Sequence, residues 1–255
     1  MMRFLNKIIA VLSLAGLCAC VSSAQVRQYR VKVKQQYPHD VTSYTQGLFF
    51  DEGQLYESTG LYGMSTFRKV DLATGKALRK LDFSDKYFVE GSAILGDSLY
   101  ILTWTSRVAF IYDKHTLEYI ATRSYPRAGW GLTTDGESLI ASDGSSRLYF
   151  MDKELRVRKT LNVKLHGKPL KYLNELEYID GKIWANVYTT GMIVIIDPQT
   201  GLTEAVVDCS GLLPARLRTS ETDVLNGIAH DSITGKTYIT GKKWPLLFEI
   251  TLEEK

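Results

Sequence analysis

Five times along this chain a polar or aromatic residue beside a Gly or Glu stands where a strand would open, and a second marked residue follows at a nearly fixed distance. The openers are Gln46-Gly47, Glu90-Gly91, Trp130-Gly131, Asn174-Glu175 and Asn226-Gly227, and the followers are Gly60, Trp104, Gly144, Tyr188 and Lys242. Opener and follower are 14 residues apart in four cases and 16 in the fifth, and successive openers are 44, 40, 44 and 52 residues apart. A period of roughly 40–50 residues with several short strands per unit marks propeller blades, small sheets that bury their faces only against neighbouring sheets. In such a fold the first strand of each unit lines a central channel, so the openers are expected to ring one axis. The predicted fold is all-β, a five-bladed β-propeller.

Turn chemistry agrees with that reading. Asp51-Glu52-Gly53, Gly96-Asp97, Asp135-Gly136, Asp180-Gly181 and Pro198-Gln199-Thr200-Gly201 separate strand-like runs with the residues that hairpins require. The fifth unit opens at Asn226, ends with Leu246 to Leu252, and falls one strand short. Arg27 to Tyr37, in which Val31 and Val33 alternate with Lys32 and Lys34, is expected to supply the missing strand. Pairing both chain ends in one sheet would remove a free edge.

The first twenty residues stand apart. Arg3 and Lys7 precede an apolar run, Ile8 to Cys20, too short to span a bilayer, which reads as a signal peptide. Leu17-Cys18-Ala19-Cys20 has the form of a bacterial lipobox with Cys20 lipidated; ordinary cleavage after Ser22-Ser23-Ala24 is the competing reading. The organisation expected is residues 1–20 as signal peptide, 21–26 as a short tether, and 27–255 as a single propeller carrying the activity. That places the protein outside the cytoplasm, in the periplasm or at the cell surface, with the lipid as its only contact with a membrane and the secreted soluble form as the alternative. Without Arg3 and Lys7 the remaining 29 Lys and Arg face 28 Asp and Glu, and a net charge of +1 gives no electrostatic case for nucleic acid. With Cys20 lipidated, Cys209 is the one other thiol left after Cys18 departs, so no intramolecular disulfide forms. A monomer is expected.

Ring positions are where chemistry is to be sought. Glu90 lies two residues after Phe88 and is expected beside Trp104, surroundings that raise a carboxyl pKa and suit it to exchange protons near neutrality. The competing reading makes it a channel carboxylate paired with Lys242 or an ordered water. Tyr44, Phe88, Trp104, Trp130 and Tyr188 fall at or two residues before marked positions, where they would wall a pocket; aromatic packing within blades is the alternative, and is assigned to Trp184. Gln46, Asn174 and Asn226 offer neutral amide groups, which also serve to satisfy neighbouring backbone. Lys242 is harder to account for structurally, because a buried ammonium is costly, and it would hold a substrate oxygen or stabilise an oxyanion. His39, His115, His166 and His230 are scattered without ligand spacing, so no metal and no cofactor is expected.

With these residues in hand, the chain resembles the glutaminyl-peptide cyclotransferases of the plant and bacterial type, which are five-bladed propellers. The matching blocks run through every unit: Tyr44-Thr45-Gln46-Gly47-Leu48, Tyr87-Phe88-Val89-Glu90-Gly91, Leu102-Thr103-Trp104, Gly129-Trp130-Gly131-Leu132, Leu173-Asn174-Glu175-Leu176-Glu177, Trp184-Ala185-Asn186-Val187-Tyr188, Leu225-Asn226-Gly227-Ile228-Ala229 and Thr240-Gly241-Lys242-Lys243-Trp244-Pro245. The resemblance implies an enzyme acting on peptides or proteins with an N-terminal Gln, whose α-amine attacks its own γ-carboxamide to give pyroglutamate and ammonia without a metal. It also implies Glu90 as acid/base, Gln46, Asn174 and Lys242 as polar pocket residues, and Phe88, Trp104 and Trp130 as aromatic walls. Two positions depart from the family pattern: Tyr44 stands where Phe is usual and Tyr188 where Trp is usual. A propeller that binds peptide termini without reacting them, and a metal-dependent propeller hydrolase or lactonase, are the alternatives; the cation of Lys242 speaks against the second.

Overall fold

The computed structural model describes residues 25–255. The leader, Cys20 and most of the expected tether lie outside the described residues. Strand β1 (Arg27–Pro38) precedes a first unit of β2 (Thr45–Asp51), β3 (Gln54–Thr59), β4 (Thr66–Val70) and β5 (Ala77–Asp82). The second unit is β6 (Val89–Leu95), β7 (Ser98–Thr103), β8 (Val108–Asp113) and β9 (Tyr119–Ser124), and the third is β10 (Leu132–Thr134), β11 (Leu139–Ser142), β12 (Arg147–Met151) and β13 (Val157–Asn162). A small hairpin, β14 (Lys164–Leu165) with β15 (Lys168–Pro169), leads to the fourth unit, β16 (Leu173–Ile179), β17 (Lys182–Val187), β18 (Met192–Ile196) and β19 (Thr203–Asp208). After a short 3-10 turn at Ala215–Leu217 come β20 (Leu225–Asp231), β21 (Lys236–Gly241) and β22 (Leu246–Glu254).

Within each unit the strands pair antiparallel in chain order, and β1 completes the fifth by pairing antiparallel with β22, Tyr29 opposite Glu254 and Pro38 opposite Leu246. The missing strand is therefore the one expected. One feature was not: β1 also pairs parallel with β19, Arg27 opposite Ala205 to Arg30 opposite Asp208, which joins the fourth and fifth units into one eight-stranded sheet.

Each unit is too thin to hold a core of its own, and the apolar side chains gather between units. Phe67 and Leu99 belong to a cluster shared by the first and second units. Leu102 with Met151 joins the second and third, Leu148 with Ile183 the third and fourth, and Ile193 with Phe248 the fourth and fifth. Leu48, Val70, Tyr238 and Leu247 close the circle between the fifth unit and the first. Phe67 is fully buried, so truncation to Ala would cost about 3–5 kcal/mol.

The openers have a structural reason. In β2, β6, β16 and β20 the register with the next strand slips at Gln46, at Glu90-Gly91, at Asn174-Glu175 and at Asn226-Gly227. Such a bulge re-aims a side chain that would otherwise point between sheets. The accompanying glycines sit where first strands of adjacent units approach: a Cβ on Gly91 would collide with the backbone of Trp130 and Leu132, and one on Gly131 with the backbone of Asn174. Trp130-Gly131 departs from the expectation that it opens its strand. It precedes β10, held by Gly131 N donating to Ser142 Oγ at 2.7 Å, because Ser142 supplies side-chain and backbone groups that replace the ladder there. The 16-residue offset of the fifth unit comes from its first turn, where Asp231 pairs with Lys236 across four residues; in the first unit Asp51 pairs with Gln54 across two.

Candidate active site

At the end of the channel where the first strands begin lies a cavity of about 290 Å³ bordered by Tyr44, Gln46, Phe88, Glu90, Trp104, Trp130, Asn174, Tyr188 and Lys242. All nine are residues singled out from the repeat. Gln46, Glu90 and Asn174 reach it from the bulges of three different units, and Lys242 from the segment following β21.

The walls are aromatic and edge-to-face. Tyr44 meets Phe88 at 6.2 Å between ring centroids, Phe88 meets Trp104 at 5.6 Å, and on the other side Trp130 meets Tyr188 at 5.5 Å. Lys242 joins the two groups, its Nζ 4.6 Å from the Tyr44 centroid and 5.5 Å from that of Tyr188. Followers Gly60 and Gly144 make room for the walls: a Cβ on Gly60 would collide with the Phe88 ring, and one on Gly144 would come within 2.7 Å of the Trp130 ring. Gly144 also has a φ of +77°, which a larger residue adopts only under strain.

Four polar groups complete the pocket. The Glu90 carboxyl is buried, and burial pushes its pKa well above the ordinary carboxylate value, with the Lys242 charge pulling the other way. Lys242 Nζ donates to Gln46 Oε1 at 2.6 Å, so its hydrogen-bonded partner is the amide rather than Glu90. Burial lowers the Lys242 pKa to about 8, against the charges of Glu90 and Asp223. Asn174 Oδ1 is buried without a hydrogen-bond partner.

Asn226 is the candidate that does not border the cavity. It is wholly buried behind Gln46, donating from Nδ2 to Thr45 O at 2.9 Å and to Gln46 Oε1 at 3.4 Å. A bulged inner strand can carry its opener into the channel wall as well as into the channel, and here Gln46 fills the space in front.

The hydroxyl at the first departure from the family pattern has a partner, since Tyr44 Oη donates to Asp223 Oδ2 at 2.8 Å. Asp223 was not apparent from the repeat. It stands three residues before the fifth opener in a long inter-unit loop, bound through its backbone N to Lys242 O at 3.1 Å and through its carbonyl to Trp244 Nε1 at 2.8 Å. A buried pair lies below: His39 Nε2 contacts Glu57 Oε1 at 3.0 Å, and Glu57 also accepts from Ser43 Oγ and Thr45 Oγ1. His39 Nδ1 lies 2.7 Å from Trp244 O, so the segment carrying Tyr44 and Gln46 is fixed to the segment carrying Lys242. Trp184 packs in the core between the fourth and fifth units, as expected.

The model of the glutamine cyclotransferase family matches residues 8–252 of this chain. A glutaminyl-peptide cyclotransferase of Arabidopsis thaliana is 41% identical over 231 residues, which span 88% of this chain and 72% of that protein. The crystal structure of Myxococcus xanthus glutaminyl cyclase superimposes with a TM-score of 0.84 at 33% identity, over 91% of this chain and all of that one.

Proposed function

This chain belongs to the glutamine cyclotransferase family, and on that premise we propose how its pocket carries out the family's reaction. The reaction converts the N-terminal glutamine of a peptide or protein to pyroglutamate with release of ammonia. The observation that carries the assignment of roles is Glu90: a buried carboxyl bordering an aromatic pocket, its pKa raised by burial against the pull of the Lys242 charge.

The glutamine side chain folds back so that its α-amine faces its γ-carboxamide carbon. Pocket walls that fix this approach supply much of the rate, because attack within one residue needs only the correct rotamers. As the new C–N bond forms, the attacking nitrogen becomes positive and passes a proton to the Glu90 carboxylate. Glu90 returns that proton to the amide nitrogen, the old C–N bond breaks, and ammonia leaves. A carboxyl whose pKa burial raises is a better proton acceptor than an ordinary one and can return the same proton to the leaving nitrogen. Lys242 faces the oxygen that turns anionic between the two steps. The unpartnered Asn174 Oδ1 accepts from a substrate N–H, and Gln46, held from behind by Asn226, keeps Lys242 in place.

The chain is read as an extracytoplasmic lipoprotein, residues 1–20 its signal peptide, 21–26 a tether and 27–255 the propeller, with Cys20 its anchor. Leu17-Cys18-Ala19-Cys20 supports the anchor. Pairing of β1 with β22 supports a monomer, since the ring is completed within one chain. Cys20→Ser is expected to release the protein from membranes with cyclisation intact, and lipid labelling that persists in this variant excludes the anchor. The catalytic roles are tested by following ammonia release from a Gln-initiated peptide in wild-type and Glu90→Gln proteins of equal thermal stability; equal rates would remove Glu90 from the mechanism.

A further inference from the structure

The aromatic wall does not stop at the pocket. Against Phe88 also stands Tyr62, which does not border the cavity, its ring edge-to-face with Phe88 at 5.5 Å and 73°. Tyr62 is 50% exposed and Trp104 is 39% exposed, although both rings pack against Phe88. Together with Phe88 they form a continuous aromatic surface that begins inside the cavity and ends in solvent.

The Tyr62 ring is also held still. Its Oη lies 3.0 Å from Thr105 Oγ1, across the boundary between the first two units. Its loop is tied at both ends of a tight turn: Met64 N donates to Leu61 O at 3.0 Å, and Ser65 Oγ donates to the same carbonyl at 2.8 Å. Ser65 Oγ in turn accepts from Val89 N at 3.0 Å, next to Glu90. Leu61 and Gly63 adopt φ of +86° and +75° to make this turn. A half-exposed aromatic ring held by one hydroxyl hydrogen bond on a tied loop is pre-organised to receive a flat or apolar group, because little motion is lost when one arrives.

We propose that Tyr62 and Trp104 form a subsite for the side chain of the residue that follows the N-terminal glutamine, and that they favour an aromatic or bulky apolar residue there. The proposal rests on the cyclotransferase reading of the pocket. With the glutamine held inside, the peptide leaves through a mouth bordered by Trp104, and one residue of chain advances by at most about 3.6 Å, so its next side chain meets the rim. A second cavity, of about 360 Å³ and lined by Val41, Leu217 and Met64 of the Tyr62 loop among others, offers a competing place for that side chain.

The test compares kcat/KM for tripeptide amides beginning Gln-Phe, Gln-Ala and Gln-Glu. Wild-type protein is expected to favour Gln-Phe over Gln-Ala by about three- to tenfold, the range of one aromatic pair. Tyr62→Ser removes that preference while leaving Gln-Ala within about twofold, and Tyr62→Phe keeps it. Binding of the same peptides to Glu90→Gln protein reads the preference without turnover, so a failure of the assigned reaction and a failure of the subsite give different results. Absence of any second-residue preference in the wild type overturns the proposal. So does a preference that survives Tyr62→Ser and disappears in Leu217→Ser.

Discussion

Two regions of one channel contain buried glutamates, and they differ in what surrounds the carboxyl. At the mouth, Glu90 faces an open pocket, with burial and Lys242 setting its pKa. Deeper, Glu175 and Glu177 lie on the same face of β16. Glu175 accepts from Leu48 N at 3.3 Å and Ile228 N at 2.9 Å, which belong to the first and fifth units, so it reaches across the axis. Glu177 accepts from His230 N at 2.9 Å and Thr133 Oγ1 at 3.3 Å. Burial raises the pKa of all three, that of Glu177 to about 8. A perturbed pKa therefore does not single out the catalyst here. The lower pair is occupied in satisfying strand N–H groups that have no ladder partner on the channel side, whereas the upper carboxyl has no such duty.

The contrast breaks first at Glu90→Gln, expected to lower kcat by about 10²-fold or more with the melting temperature unchanged. Ammonia release and thermal melts on the same preparation check it, and a comparable loss of stability would make Glu90 another structural carboxyl. Glu175→Gln should do the reverse. An amide NH₂ placed against Leu48 N or Ile228 N leaves a buried donor facing a donor, and unfolding free energy should fall by about 1–3 kcal/mol in denaturant melts while kcat of the folded fraction changes little.

Lys242→Met should lower kcat/KM by at least about tenfold, the lower end for losing a hydrogen bond from a charged group, and also change its pH dependence. Because the Lys242 charge lowers the Glu90 pKa, removing it raises that pKa, so the acid limb, already above pH 4.5 in the wild type, should move to higher pH. An unmoved limb would separate Lys242 from Glu90. The smallest effect is expected from Tyr44→Phe, which deletes the hydrogen bond to Asp223: about threefold in kcat/KM, with the ring and its contact to Lys242 retained.

Much of this was legible in the sequence because the repeat marks positions by their place in a blade. Nine of the ten residues assigned to the pocket border it, and the completion of the fifth unit by β1 followed from a missing strand and an alternating N-terminal run. Asn226 fell out because spacing locates a Cα, while a bulge decides whether the side chain enters the space or supports the neighbour that does. Asp223 and Tyr62 escaped because they sit in loops whose lengths vary between units, where a period carries no information. Glu175 stands where the four other units place Gly. That substitution was visible in the openers, but its reach to Leu48 and Ile228 depends on how far the fourth unit lies from the first across the axis, which no local pattern encodes.

The pairing of β1 with β22 also has a consequence in time. It joins residues at opposite ends of the chain, and the Lys242–Gln46 hydrogen bond, 196 residues apart in sequence, spans the same seam. Contacts of such long separation form late, after the intervening loop has paid its closure entropy. Units two to four can stack on one another while the chain is still incomplete, but the lysine and the amide that steadies it meet only when the last strand docks beside the first. Maturation of the catalyst and closure of the ring are then a single event, and a chain stalled short of it would hold Glu90 in a half-built pocket without the cation that tunes it.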